Sequence, residues 1–221
     1  MRTEEPRYAA RALRTGNRVF LRRPTPADAE AFIEMARRSR RLHRPWVYLS
    51  DDPTVFERYL DRIGSDRHAG FLACRCSDGA IVGLVNLSEI VRGGLQGAYM
   101  GFFASADHAG EGYMTEAVSL ALDYAFRELR LHRIEANIQP GNTRSRALAK
   151  RCGFRHEGLS RRYLKIGGRW RDHQRWAILA EEWKVARRLP GLRLAGPAAG
   201  SPVDSSLLDG GIRPPQARKS Q

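Results

Sequence analysis

The sequence predicts a mixed α/β fold, with about seven strands in a central sheet and four helices. Three observations carry that prediction. Residues 97–103 are apolar and strand-like, a small-residue turn follows, and Met114, Val118, Leu122, Ala125 and Leu129, joined by Ala121 and Phe126, then recur at helical spacing. Residues 131–138 alternate as a strand directly after that helix. Two further runs, each bent at a glycine turn (Asp78-Gly79 and Gly167-Gly168), read as hairpins. A helix with one broad apolar stripe, bracketed by strands, is a helix packed on a sheet.

Taken in order, residues 1–14 are polar without a period and form a lead-in to a first strand over 18–23, which Pro24 ends. Thr25 and Pro26 open a helix as cap and first residue, and Ala29, Phe32, Ile33 and Ala36 make its apolar side. A loop holding Trp46 and Tyr48 leads to a second helix over 54–63, through Val55, Tyr59, Leu60 and Ile63. Strands over 70–76 and 80–87 flank the first hairpin turn, 91–95 is another turn, and the strand 97–103 follows. Beyond residue 138, Pro140-Gly141 leads into a helix capped by Asn142, and strands over 154–166 and 170–179 close the domain. The domain is expected to span 15–185. Residues 186–221, dominated by Pro, Gly, Ala and Ser, are expected to be a disordered tail.

The chain of 221 residues is 42% hydrophobic, enough for one buried core. Its net charge of +14 comes mostly from arginine, since Lys150, Lys165, Lys184 and Lys219 are its lysines. Arginine suits phosphate and carboxylate partners, so non-specific RNA contact is one expectation; arginines spread along the chain fit a proteome-wide composition bias equally well. Cys74, Cys76 and Cys152 have no metal spacing, which points to reduced thiols, no metal and a cytoplasmic protein. No apolar run approaches the roughly 20 residues of a membrane span, and no membrane partner is expected.

The chemistry centres on the turn before the long helix. Gly110 and Gly112 let the backbone approach a ligand, and first-turn N–H groups have no intrahelical partner, so the turn suits a phosphate as well as a plain tight turn. Downstream, the order is strand, Asn142-x-x-Ser145 helix, and Gly153-Phe154 strand. With residues 81–88, Val91-Arg92-Gly93, the run from Gly110 to Ala117, His132-Arg133-Ile134, Glu157-Gly158 and the run from Tyr163 to His173, this order resembles the GCN5-related N-acetyltransferase (GNAT) fold. Within it, the chain resembles the RimJ type of ribosomal-protein alanine N-acetyltransferase, over roughly residues 15–185.

That resemblance implies acetyl-CoA as co-substrate, cradled by Gly110, Glu111, Gly112, Tyr113, Met114 and Thr115. It implies that the strand run Phe102-Phe103-Ala104-Ser105, with Phe103 and Ser105 as contacts, lends main-chain groups to the pantetheine arm and an N–H to the thioester oxygen, that Asn142 touches the arm, and that Ser145 protonates the departing thiolate. The family pattern Gln/Arg-x-x-Gly-x-Gly/Ala meets Ala109 at its first position and Met114 at its last, changes that backbone binding survives. A tyrosine common one turn after Ser145 is Ala149 here. At two positions where related enzymes carry a glutamate base stand Asn137 and Leu164. Glu116, Glu89, Asp172 and His173 are the candidate proton acceptors, with Glu116 and Ser145 the catalytic pair expected. The α-amine, with a pKa of about 8, needs less help than a lysine near about 10.4. The implied reaction is acetylation of a protein N-terminus, alanine of a ribosomal protein. The alternatives are a small-molecule amine or lysine acceptor, and a basic ribosome- or RNA-binding protein with a vestigial CoA site.

Overall fold

In the computed structural model the described residues are 12–186. Eight strands form one sheet: β1 (Arg14–Thr15), β2 (Val19–Arg22), β3 (His68–Arg75), β4 (Ile81–Val91), β5 (Gly97–Ala104), β6 (Arg133–Ile138), β7 (Arg155–Ile166) and β8 (Arg169–Leu179). The helices are α1 (Ala29–Arg38), α2 (Arg40–His43), α3 (Pro53–Ile63), α4 (Tyr113–Arg127), α5 (Thr143–Arg151) and α6 (Ala180–Ala186). Strand order is β1-β2-β3-β4-β5-β6-β8-β7. Every pairing is antiparallel except β5 with β6, and a parallel pair needs a crossover, which α4 supplies.

The mixed α/β expectation holds, with eight strands and six helices where seven and four were counted. The extra elements are short and tertiary in origin. β1 has two residues and exists by pairing with β2. α2 has four residues and sits where a loop was expected. α6 carries Glu181 and Glu182 in its first turn, favourable at a helix N-terminus, and buries Trp183. Residues 1–11 and 187–221, which include most of the expected lead-in and tail, lie outside the described residues.

Alternation along the strands sends side chains to two separate cores. On one face, α4 lays Ala117, Val118, Leu120, Ala121, Leu122 and Ala125 against Val82, Val85, Leu87, Met100 and Ile134. On the other, α1 and α3 bring Phe32, Met35, Phe56, Tyr59 and Ile63 against Phe20, Leu72, Cys74 and Leu84. The decisive feature is where pairing stops. β5 and β6 pair only through Gly97, Ala98 and Tyr99 with Arg133, Ile134 and Glu135. Beyond Tyr99, β5 stays on β4 and β6 stays on β8, so the sheet parts down its middle. An irregularity in β4 between Ser88 and Val91 falls opposite the still-paired end of β5, and bulges add local twist.

The first core also holds a buried charge. Asp123 of α4, 3% exposed, accepts from Arg14 Nε at 3.2 Å and lies 3.1 Å from Arg127 Nε. Arg14 is 6% exposed and also donates to Glu128 and to the Leu13 carbonyl. Removing one partner of such a pair strands the other charge in the interior. Asp123→Ala is therefore expected to lower stability by about 3–5 kcal/mol, read as a shift in the urea midpoint, whereas an exposed pair such as Arg37 with Glu34 should shift it by less than about 1 kcal/mol when broken.

Candidate functional site

The turn before α4 is built as a backbone cradle. A short 3-10 turn over Ala106–His108 leads to Gly110 at φ 93° and Gly112 at φ 84°, conformations that suit glycine. A side chain at Gly110 would meet open space, so the backbone there faces outward unobstructed. Gly112 caps α4, and the N–H groups of Tyr113 and Met114 point out of the helix end, whereas the Thr115 N–H, expected in the cradle, donates to the Gly112 carbonyl at 3.1 Å. Met114 stands where the family pattern has Gly or Ala, and its placement explains why that is tolerated. Its sulfur lies on Gly83 of β4, where any side chain would overlap it, so the thioether packs into the first core instead of filling the cradle.

One cradle residue had no signal in the sequence. Arg18, from the turn between β1 and β2, donates to the Glu111 carbonyl at 3.2 Å and lies over the Tyr113 ring at 4.7 Å. Its side chain is half exposed, so a cation stands at the cradle's rim. Glu116 is tied to the same turn. Its Oε1 accepts from the N–H groups of Arg18 at 2.8 Å and Val19 at 3.3 Å, and it fills the space over Gly16. The geometry makes Glu116 a clamp between α4 and the β1–β2 turn through Oε1, with Oε2 3.8 Å from Arg18 Nε.

Along the parted edge of β5, main-chain groups divide by register. Ser105 N–H donates to Val82 O at 2.9 Å, so Ser105 and, by alternation, Phe103 turn their groups toward β4. Those of Phe102 and Ala104 turn to the open side. The Ala104 carbonyl there accepts from His43 Nε2 at 2.9 Å, and Ala106 N–H donates to the buried Ser39 hydroxyl at 2.9 Å. The corner of α1 and α2 thus locks the end of β5. The expected contact at Ser105 is accordingly not available from its N–H, and the open-side donor is Ala104.

Across the gap, Asn142 caps α5 by accepting from Ser145 N–H at 3.2 Å, which leaves its amide donors uncommitted. Ser145 is half-buried in the first turn, and Ala149, one turn later, is fully buried. Asn137 lies on β6 just beyond the last paired residue, and its Oδ1 is buried with no hydrogen-bond partner among the described residues. Beside the gap lies an open cleft of about 390 Å³, lined by Trp46, Gln139, Pro140, Gly141, Trp170, Arg171 and Asp172. Gln139 Nε2 donates to Trp46 O at 2.9 Å, and Trp46 rests on Gly141. Tyr48 in the same loop rests on Gly167, so the loop roofs the gap between α5 and the β7–β8 hairpin.

The candidate proton acceptors separate clearly. Glu89 sits at the irregularity of β4, not in a turn, and pairs there with Arg67, while Asp172 accepts from Arg162 N–H at 2.8 Å. Glu116 is clamped through Oε1, and the fourth candidate is His173 of β8. It is 3% exposed, and its Nδ1 contacts the Arg171 carbonyl at 3.0 Å, which places the proton on Nδ1 and a lone pair on Nε2. Burial pushes its pKa below the usual histidine value, as it does for His43, so both rings are neutral near pH 7. Beside it, Tyr163 meets the ring at 6.1 Å and its hydroxyl lies 3.4 Å from that of Tyr99, the last paired residue of β5. Among the described residues no cluster of metal-ligating side chains occurs, and no helix is long and apolar enough to cross a membrane.

The two depressed histidines set a pH dependence. The folded state resists protonation of both, while the unfolded chain takes protons below about pH 6.5. Stability present above that pH is therefore lost as pH falls through the folded pKa values. Urea midpoints measured between pH 7.5 and about 5, above the carboxylate range, should fall with pH, and less so in His43→Gln.

The acetyltransferase (GNAT) domain model matches residues 18–155. The Bacillus subtilis (strain 168) protein named Probable N-acetyltransferase YjcK is 38% identical over 172 residues, which are 74% of this chain and 95% of that one. The ribosomal protein uS5-alanine N-acetyltransferase of Escherichia coli (strain K12) is 32% identical over 181 residues, 78% of this chain and 93% of that one. Among solved structures, Mycobacterium smegmatis RimJ in complex with CoA-disulfide matches with a TM-score of 0.69 at 32% identity, over 74% of this chain and 83% of that one. With the parted sheet, the glycine cradle and relatives matched over nearly their whole length, the chain belongs to the GNAT family of acetyltransferases.

Proposed function

We propose that this acetyltransferase moves the acetyl group of acetyl-CoA to the N-terminal α-amine of a protein, the N-terminal alanine of a ribosomal protein. The observation that carries the reading is the cleft beside the parted strands, which is open enough for a peptide end and poor in acid. Its single carboxylate, Asp172, already accepts from Arg162 N–H, and Arg171 stands next to it. A polyamine would meet a cation and one committed carboxylate. The likeness to the Escherichia coli enzyme supports the same acceptor.

In this reading the pyrophosphate lies on the amides of Gly110 to Met114, helped by the positive end of α4, with Arg18 beside it. The pantetheine arm follows the open side of β5 at Phe102 and Ala104 and meets the Asn142 amide. The Ala104 N–H is the donor toward the thioester oxygen as charge develops there. The amine nitrogen attacks the carbonyl carbon, the C–S bond breaks, and the thiolate takes the proton of Ser145 Oγ. Asn137 Oδ1 accepts from the incoming amine. The proton that the amine gives up passes to His173 Nε2 and returns through solvent to the serine.

A peptide with N-terminal alanine and an internal lysine tests the acceptor directly. Mass spectrometry should place the acetyl group on the α-amine, with a rate rising through about pH 7–8; label mainly on lysine, or rapid turnover of a small amine with the peptide untouched, would sink the assignment. Gly112→Asp places bulk and negative charge in the cradle and should weaken CoA binding in calorimetry with the fold intact. A CoA thiol has a pKa of about 8.5 and leaves tolerably well, so Ser145→Ala should cost about ten- to a hundredfold in the chemical step under single turnover. Unchanged chemistry with weakened CoA binding would make Ser145 a positioning residue.

A further inference from the structure

The hairpin of β7 and β8 borders the acceptor cleft, and its charge is unbalanced. From Gly158 to Arg171 the chain carries Arg161, Arg162, Lys165, Arg169 and Arg171 and no acidic residue. None of these forms an ion pair among the described residues, whereas lower on the same strands Arg155 and Arg175 are matched by Glu182 and Glu135, and Arg133 of the neighbouring β6 by Glu157. Arg44 extends the set, since it lies over the Tyr48 ring at 5.2 Å and Tyr48 rests on the hairpin turn at Gly167. Within this group Trp170 is 61% exposed, directly opposite Lys165 on the neighbouring strand. Among the described residues β7 is also the last strand of the sheet, with no strand paired on its outer edge.

We propose that the β7–β8 hairpin is a docking surface for single-stranded RNA, holding phosphates with its cations and stacking a base on Trp170. Arginine forks match phosphate, and an exposed indole among cations is the combination that binds single strands with little sequence preference. The hairpin tip, Gly167-Gly168, has no side chain to insert in a membrane; the exposed apolar residues Leu159, Leu164 and Trp170 lie along the strands, and binding to vesicles is kept as an outcome of the test. The inference rests on the ribosomal-protein reading for its purpose. A basic ribosomal N-terminus alone is repelled by these cations, and one arriving with its RNA is drawn in with its end at the cleft.

The test uses the full chain with neither acetyl-CoA nor peptide, so its outcome is independent of the acetylation reading. Fluorescence anisotropy of a labelled oligouridylate of about 12 nucleotides should show binding that weakens steeply with salt. Lys165→Gln with Arg169→Gln, two residues that do not line the cleft, should weaken that binding at least about tenfold. The plot of log affinity against log salt should become shallower by roughly 0.7 per contact removed. Turnover of the free peptide should be unchanged in that variant, and Trp170→Leu should weaken binding with the salt slope intact. Equal binding by wild type and double variant would overturn the proposal. So would equal affinity for polyglutamate or for phosphatidylserine vesicles, or a hairpin substitution that shifts a monomer–dimer equilibrium while RNA binding stays constant.

Discussion

The site depends on one interruption of hydrogen bonding: β5 and β6 stop pairing after Tyr99 and Glu135. A sheet parted in its middle leaves main-chain donors and acceptors facing a gap, and backbone groups buried without partners are costly. The protein meets that cost in part with its own side chains, through His43 on the Ala104 carbonyl and Ser39 on the Ala106 N–H. What remains open is a strand edge with room for an extended ligand. The parallel pairing of β5 with β6 puts α4 between them in sequence, and so the helix N-terminus falls at the mouth of the same gap. One topological choice thus places an extended binding edge and an anion cradle end to end.

The two faces of the sheet divide the labour. α4 packs over the first core and is fixed by the buried Arg14–Asp123 pair and by the Glu116 clamp, so the cradle is held by groups up to 109 residues away in sequence. On the opposite face, the loop after α2 reaches across to Gly141 and Gly167, joining α5 to the β7–β8 hairpin through the rings of Trp46 and Tyr48. Those rings resist compression, and the glycines beneath them permit close approach. The cleft is therefore a seam between two loops and the start of β8 rather than a hollow within the core, and its charged residues, Arg171 and Asp172, come from the hairpin.

Much of the family pattern was legible because it is local. The stripe of α4, the glycines just before it and the Asn142 cap are each short-range and stand where expected, except that α4 ends at Arg127, before Leu129. Roles that depend on distant partners were not legible. Glu116 looked like any first-turn acid of a helix, and its commitment to Arg18 and Val19 spans nearly a hundred residues. Arg18 itself reads as the start of a strand, with nothing nearby in the chain to place it at the cradle. Met114 looked like a departure from the pattern until Gly83, on another strand, supplied the space for its sulfur.

By itself the amino-acid sequence determined the mixed α/β class, the succession of the main elements and the position of the glycine turn, because periodicity, capping and turn chemistry act over a few residues. It also determined the excess of cations, which is a property of composition. Only the tertiary structure decided where β5 and β6 part, which amides face the gap, which carboxylates already accept hydrogen bonds, and that Arg171 of the hairpin lines the cleft. Those outcomes rest on register and packing between segments far apart in the chain. Burial, which holds His173 neutral with a lone pair on Nε2, likewise exists only once those segments have met.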